Sequence, residues 1–186
     1  MKKIFVKKMA KNKFKILGIS GSFRPGSSAS AVLRIVGNLF PDNIEFEMFS
    51  GIEKIPAFDD SNEIPKPVAD FIQQIADADA VVFCIPEYAF GVPGALKNAL
   101  DWTVSSTAFS DKPVALITAA SGGEKAHAAF GLTLTAIGTK ISEDTKLLIS
   151  FIRTKLNEKG EVKDIPTLDA IKKVIASLIQ AIPVND

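Results

Sequence analysis

Apolar residues, many of them β-branched, gather in short runs at 15–20, 44–49, 80–86, 114–120 and 146–152. Runs of this length, bounded by polar residues, Gly and Pro, predict five strands. Between them, apolar positions recur at spacings of three and four over 30–40, 67–78, 94–104 and 125–138, and a last such stretch covers 167–182. That period predicts helices. In the last of them Leu168, Ile171, Ile175, Leu178 and Ile182 form one stripe suited to burial against a sheet. The run Ala80-Val81-Val82-Phe83-Cys84-Ile85 is apolar at every position, as in a parallel strand covered on both faces. Alternating strands and helices with two-sided burial predict the α/β class: a doubly wound, three-layer sandwich around a five-stranded parallel sheet, with right-handed crossovers. The segment 52–67, with Pro56, Pro65 and Pro67 beside Asp59 and Asp60, predicts a loop. No repeat or low-complexity tract divides the chain, so residues 14–186 read as one domain and residues 1–13 as a basic N-terminal extension.

Composition narrows the partners. The chain has 186 residues, 47% of them hydrophobic and 23% charged, enough for a full core in one domain. A net charge of +1 gives no long-range field to recruit nucleic acid or an anionic membrane. Residues 1–14 carry six lysines, but no uncharged apolar run of signal-peptide length follows them, and no stretch approaches the roughly 20 apolar residues of a membrane span. With Cys84 the single cysteine, neither a disulfide framework nor a multi-cysteine metal cage is available. The expectation is a cytoplasmic protein, with no metal site, no nucleic-acid partner and no membrane partner.

Candidate chemistry concentrates in the turns that follow the first and third predicted strands. The first is Gly21-Ser22-Phe23-Arg24-Pro25-Gly26-Ser27-Ser28. Gly21 and Gly26 have the spacing of a Walker A loop, but Ser27 stands where its lysine would reach the outer phosphates. The Gly-x-Gly-x-x-Gly dinucleotide fingerprint fails as well, because Ser20 and Arg24 occupy glycine positions counted from Gly18 and Gly21 respectively. What remains suits a terminal monophosphate: the hydroxyls of Ser22, Ser27, Ser28 and Ser30, backbone N–H groups around Ala29, the positive end of the next helix, and Arg24 for a charge-assisted pair. The same serines also suit plain helix capping, with Arg24 solvated.

The second turn, Pro86-Glu87-Tyr88-Ala89-Phe90-Gly91-Val92-Pro93-Gly94, lies where parallel α/β sheets place ligand-contacting loops. Its backbone donors and acceptors can meet the polar edge of a planar ring; alternatively, Pro93 simply opens a helix. A third candidate segment is Ser121-Gly122-Gly123, after the fourth predicted strand. His127, the only histidine, reads as a surface or supporting residue, and Cys84 as an inert small hydrophobe. Trp102 reads as a core or subunit-contact residue, and Lys97 with Asp101 as a surface pair at i,i+4.

Taken together, these motifs resemble the NAD(P)H-dependent FMN reductase family of flavodoxin-like proteins, which includes quinone, azo-dye and chromate reductases. Gly21-Ser22-Phe23-Arg24-Pro25-Gly26-Ser27 is similar to its Gly-Ser-x-Arg-x-x-Ser phosphate loop, and Pro86-Glu87-Tyr88 with the stretch 93–102 is similar to its second signature. The resemblance covers about residues 14–182. It implies FMN held by Ser22, Arg24, Ser27, Ser28, Ala29, Ser30, Pro86, Glu87, Tyr88, Ala89, Ser121, Gly122 and Gly123, with NADPH or NADH as reductant. It further implies a small-molecule electron acceptor, or release of reduced FMN, and a homodimer or homotetramer. Ala29 and Ala89 stand where the family often has asparagine, which bears on FMN affinity. No side chain is assigned as catalytic, because hydride chemistry belongs to the flavin. The competing expectation is a non-catalytic FMN-binding or interaction domain on the same fold.

Overall fold

A computed structural model describes residues 13–183, apart from residues 25 and 62. Of the expected extension, residues 1–12 lie outside the described residues. The elements alternate as the hydrophobic pattern predicts: β1 (Phe14–Ser20), α1 (Ser28–Leu39), β2 (Ile44–Met48), α2 (Lys66–Asp77), β3 (Ala80–Ile85), α3 (Gly94–Asp101), β4 (Val114–Ala119), α4 (Glu124–Ala136), β5 (Lys146–Ile149), α5 (Ile152–Lys155) and α6 (Ile165–Ala181). Short 3₁₀ turns precede β5 at Glu143–Thr145 and follow β2 at Ile52–Lys54. The five strands form one sheet in the order β2-β1-β3-β4-β5, and every pairing is parallel.

Two hydrophobic layers cover the sheet because side chains alternate along each strand. From β3, Val81, Phe83 and Ile85 point into one layer with Phe71 and Ile75 of α2, Leu96 and Leu100 of α3, and Phe130 and Leu134 of α4. Ala80, Val82 and Cys84 point into the other with Val32, Leu33 and Val36 of α1 and Ile171, Ile175 and Leu178 of α6. A strand apolar at every position is thus needed at the centre of this sheet. In α6 the predicted stripe is present, with Ile171, Ile175, Leu178 and Ile182 buried and Leu168 half-buried.

The differences from expectation sit at element ends. Helix α1 begins two residues earlier than the 30–40 pattern, because Ser27 caps it by accepting from Ser30 N at 3.1 Å. The fifth strand stops at Ile149 rather than continuing to 152, since Phe151 adopts a left-handed φ of 55° and starts the one-turn helix α5. Helix α3 ends at Asp101 with Trp102 as its C-cap. The loop over 52–67 is tied down by that helix: Trp102 Nε1 and Asn98 Nδ2 both donate to the carbonyl of Pro56, at 2.9 and 2.8 Å. Phe58 meets the Trp102 ring edge-on with centroids 5.2 Å apart. Trp102 is therefore a core residue, 2% exposed.

Leu178 lies on α6 with no exposed surface, and truncation there opens a cavity in the layer between α6, α1 and the sheet. Leu178→Ala is expected to cost about 2–5 kcal/mol, read as a lower midpoint in urea unfolding at unchanged slope.

Candidate functional site

The strand order reverses on either side of β1: the chain leaves β1 towards β2 through α1, and the β2-to-β3 crossover lands on β1's other flank. The loops after β1 and β3 consequently diverge and leave a crevice at the carboxyl edge of the sheet, the usual ligand position in open α/β sheets. Ser20 and Cys84 are register partners at this edge, and Gly21 N donates to Cys84 O at 2.8 Å. The crevice opens to solvent and has a cavity volume of about 150 Å³.

The first turn contributes Arg24, Ser27, Ser28 and Ala29 to the lining. Ser28 and Ala29 open α1, so their N–H groups have no intrahelical carbonyl to reach, and both residues line the cavity at the positive end of the helix. The other serines hold the loop itself. Ser27 Oγ donates to Ser30 Oγ at 2.8 Å, Ser30 Oγ reaches the carbonyl of Ser22 at 3.1 Å, and Ser20 Oγ joins Ser30 Oγ at 2.9 Å. Ser22 Oγ accepts from the backbone of Arg24 at 3.4 Å and from the hydroxyl of Tyr88 at 3.3 Å. Ser22 and Ser30 therefore stand behind the cavity wall rather than on it, and Ser27 serves both wall and cap.

The second turn contributes Pro86, Glu87 and Tyr88 to the lining. Beyond them the chain closes a tight reversal in which Tyr88 N donates to Gly91 O at 3.1 Å and Gly91 N to Tyr88 O at 2.9 Å. Ala89 and Phe90 occupy its centre with φ of 48° and 60°, the left-handed pair of a type I′ turn that Asn and Gly adopt more easily. Each such non-glycine residue costs on the order of 1 kcal/mol, and strain of this kind collects at ligand-binding sites. The turn leaves the N–H groups of Ala89 and Phe90 outside its own pairing.

Glu87 links this loop to the third. Its Oε2 accepts from Ala126 N at 2.9 Å, the third residue of α4, whose N-cap is Gly123 and has no side chain to offer. Glycine suits position 123: its φ is 112°, which L side chains rarely adopt, and an added Cβ would lie 2.8 Å from Leu148 Cδ1 and force that side chain to move. Ser121 and Gly122 reach the cavity lining, whereas Gly123 is packed behind it. Ile152 and Arg153 also line the cavity. The hydrophobic pattern missed them because it continued the fifth strand to 152; a polar Ser150 next to Phe151 is the signal that interrupts it.

His127 lies half-buried on α4 with Nδ1 2.8 Å from Thr118 Oγ1, outside the cavity lining. Burial chiefly, and then the Lys146 ammonium, hold its imidazole below the ordinary value against a smaller opposing pull from Glu143. Cys84 is fully buried, and burial raises its thiol pKa; it is no thiolate. Lys97 and Asp101 pair on the surface at 2.5 Å. Among the described residues no cluster of His, Cys, Asp and Glu is arranged to hold a metal ion, and no described helix is long and apolar enough to cross a membrane.

A doubly wound parallel sheet with a helix N-terminus and an open cleft at its switch point is the flavodoxin-like architecture. Residues 14–152 match the model of the family described as NADPH-dependent FMN reductase, and the chain belongs to that family. An NAD(P)H-dependent FMN reductase of Pseudomonas aeruginosa is 33% identical over 176 residues, covering 90% of this chain and 92% of the relative. A quinone reductase of Escherichia coli K12 is 30% identical over 167 residues, covering 84% and 89%. Among solved structures, FerB, a flavoenzyme NAD(P)H:(acceptor) oxidoreductase from Paracoccus denitrificans, superposes with a TM-score of 0.81 at 24% identity, covering 91% of this chain and 97% of that one. Family membership gives the class of activity: the chain is an NAD(P)H-dependent flavin oxidoreductase that uses FMN.

Two predictions follow from the supports of the site. Glu87→Ala removes the only side-chain cap seen on α4 among the described residues and is expected to lower stability by about 1–2 kcal/mol, with Glu87→Gln losing less because it keeps an acceptor; urea unfolding measures both. For His127, a depressed folded-state pKa means that the unfolded chain takes up the proton first as pH falls below about 6.5. The contribution of His127 is complete above that pH and declines as pH drops through the folded value. Unfolding midpoints should fall from pH 7 to pH 5, and His127→Asn should flatten that segment of the curve.

Proposed function

We propose that the switch-point crevice holds FMN with its phosphate at the start of α1 and its ring beside the Tyr88–Gly91 turn, and that the protein passes electrons from NADH or NADPH to a small acceptor of the quinone class. Bound FMN supplies the redox chemistry, taking a hydride from the nicotinamide and passing electrons to the acceptor. The observation that carries the placement is that Ser28 and Ala29, whose amides open α1, line the cavity beside Arg24.

The residues of the chain divide the work by what they touch. The amides of Ser28 and Ala29, the Ser28 hydroxyl and the Arg24 guanidinium meet the phosphate, while the Ser20–Ser22–Ser27–Ser30 hydroxyl network keeps the loop shaped for it. An alanine at 29 costs little in this arrangement, because the backbone N–H and not the side chain faces the anion. Pro86, Tyr88 and the amides of Ala89 and Phe90 flank the ring edge, and Ser121 and Gly122 let the opposite backbone approach closely. Glu87, engaged with Ala126 N, keeps the second and third loops in register.

Residues 14–186 act as one domain in this reading, with residues 1–13 as a basic N-terminal extension. Tyr88 on the crevice lining, and Phe23, Phe90 and Phe151 in the same loops as lining residues, are 52%, 61%, 80% and 67% exposed, which supports a homodimer or homotetramer that covers them. The single cysteine, buried and protonated, suits a reducing cytoplasm.

Purified protein should oxidise NADH or NADPH when given FMN and a benzoquinone; bound FMN with no turnover would favour a non-catalytic flavin-binding domain instead. Arg24→Ala should weaken FMN binding by about 1.5–3 kcal/mol in titration calorimetry, and unchanged affinity would remove Arg24 from the site.

A further inference from the structure

The cavity carries a second guanidinium that the phosphate-loop motif does not account for. Its charged lining residues are Arg24, Glu87 and Arg153. Glu87 is engaged with the N–H of Ala126 at 2.9 Å, so its carboxylate is held to the α4 terminus. Among the described residues, neither Arg24 nor Arg153 takes part in a salt bridge, whereas nearby Lys155 is paired with Asp164 at 3.5 Å. Two guanidinium groups that make no salt bridge among the described residues therefore border one cleft, carried by different loops.

Arg153 reaches the cleft because the chain is forced to turn there. Ser150 Oγ donates to Gly122 O at 3.1 Å, Phe151 N to Ser121 O at 3.2 Å, and Ile152 N to Ala120 O at 3.1 Å. These bonds stitch the end of β5 to the third loop. The left-handed φ of 55° at Phe151 then reverses the backbone, with Ile152 buried at 2% exposure and Phe151 facing solvent. An uncommon conformation for an aromatic residue is held by three hydrogen bonds, and its product is an arginine on the cavity wall.

We infer that Arg153 is a specificity-determining residue that pairs with a phosphate monoester bound in this cleft. Guanidinium presents a planar fork of donors matched to such a group. Two ligands of the reaction carry that chemistry, the terminal phosphate of FMN and the 2′-phosphate of NADPH. In either case Arg153 favours the phosphorylated ligand over its unphosphorylated counterpart. The inference rests on the FMN reading of the crevice.

The test compares wild type, Arg153→Ala, Arg153→Lys and the surface control Lys159→Ala, each for binding of FMN and riboflavin and for KM with NADPH and NADH. If Arg153 holds the flavin phosphate, Arg153→Ala raises the Kd for FMN about tenfold and leaves riboflavin unchanged. If it holds the nicotinamide's phosphate, the variant raises KM for NADPH by a similar factor and leaves NADH unchanged. Arg153→Lys recovers part of either loss, and Lys159→Ala shows neither. Equal behaviour of Arg153→Ala and wild type toward all four ligands, or an equal loss in Lys159→Ala, overturns the assignment. A wild-type protein that binds no FMN overturns the parent reading, and this one with it; wild-type FMN binding with an indifferent Arg153→Ala overturns this one alone.

Discussion

Helix α1 begins at the edge of the sheet where β1 is flanked on one side by β2 and on the other by β3, and its first amides are left without partners. That single constraint organises the site. A parallel sheet cannot change direction of winding without separating the loops that follow the two strands at the reversal, and the gap must sit at their carboxyl ends. A helix leaving the same edge brings its unsatisfied N–H groups and positive dipole end to the gap. An anion would supply what both lack, so the proposed position of the ligand follows from topology before any particular side chain is considered.

Side chains refine that position by division of labour. The serines of the first turn are largely occupied with one another and with backbone, which fixes the loop and leaves amides and Arg24 for the ligand. Glu87 is similarly occupied, replacing the cap that Gly123 cannot provide. Gly123 itself is favoured by the close approach of Leu148 and Thr118. The third loop is thus held from three directions, by β3's loop through Glu87, by its own packing, and by the stitches from Ser150, Phe151 and Ile152. A ligand touching all three loops meets a preorganised frame, which reduces the ordering cost of binding. The strained turn at Ala89 and Phe90 is the exception, a place where local preference is overridden beside the cavity.

Much of the architecture was legible in the sequence, because burial on both faces of β3 and the stripe on α6 are direct consequences of period and composition. Gly21 to Ser28 and Pro86 to Tyr88 were legible as candidate segments, being polar turns directly after buried strands, and the fold brings Arg24, Ser27, Ser28, Pro86, Glu87 and Tyr88 to one crevice. The illegible parts depend on contacts between distant residues. Nothing local marks Glu87 as the cap of a helix that starts 37 positions later, at Glu124, and nothing local marks Ser30 as the donor to the carbonyl of Ser22. Arg153 escaped because an apolar run, Leu147 to Ile149, continues across Ser150 into Phe151 and Ile152, hiding the left-handed break that places the arginine on the cavity.

A crystal structure of the protein grown with FMN tests the central claim most directly. The account predicts the flavin phosphate hydrogen-bonded to the amides of Ser28 and Ala29 with the ring lying beside the Tyr88–Gly91 turn. A phosphate bound away from the start of α1, or a ring lodged anywhere but the crevice between the loops after β1 and β3, would contradict it.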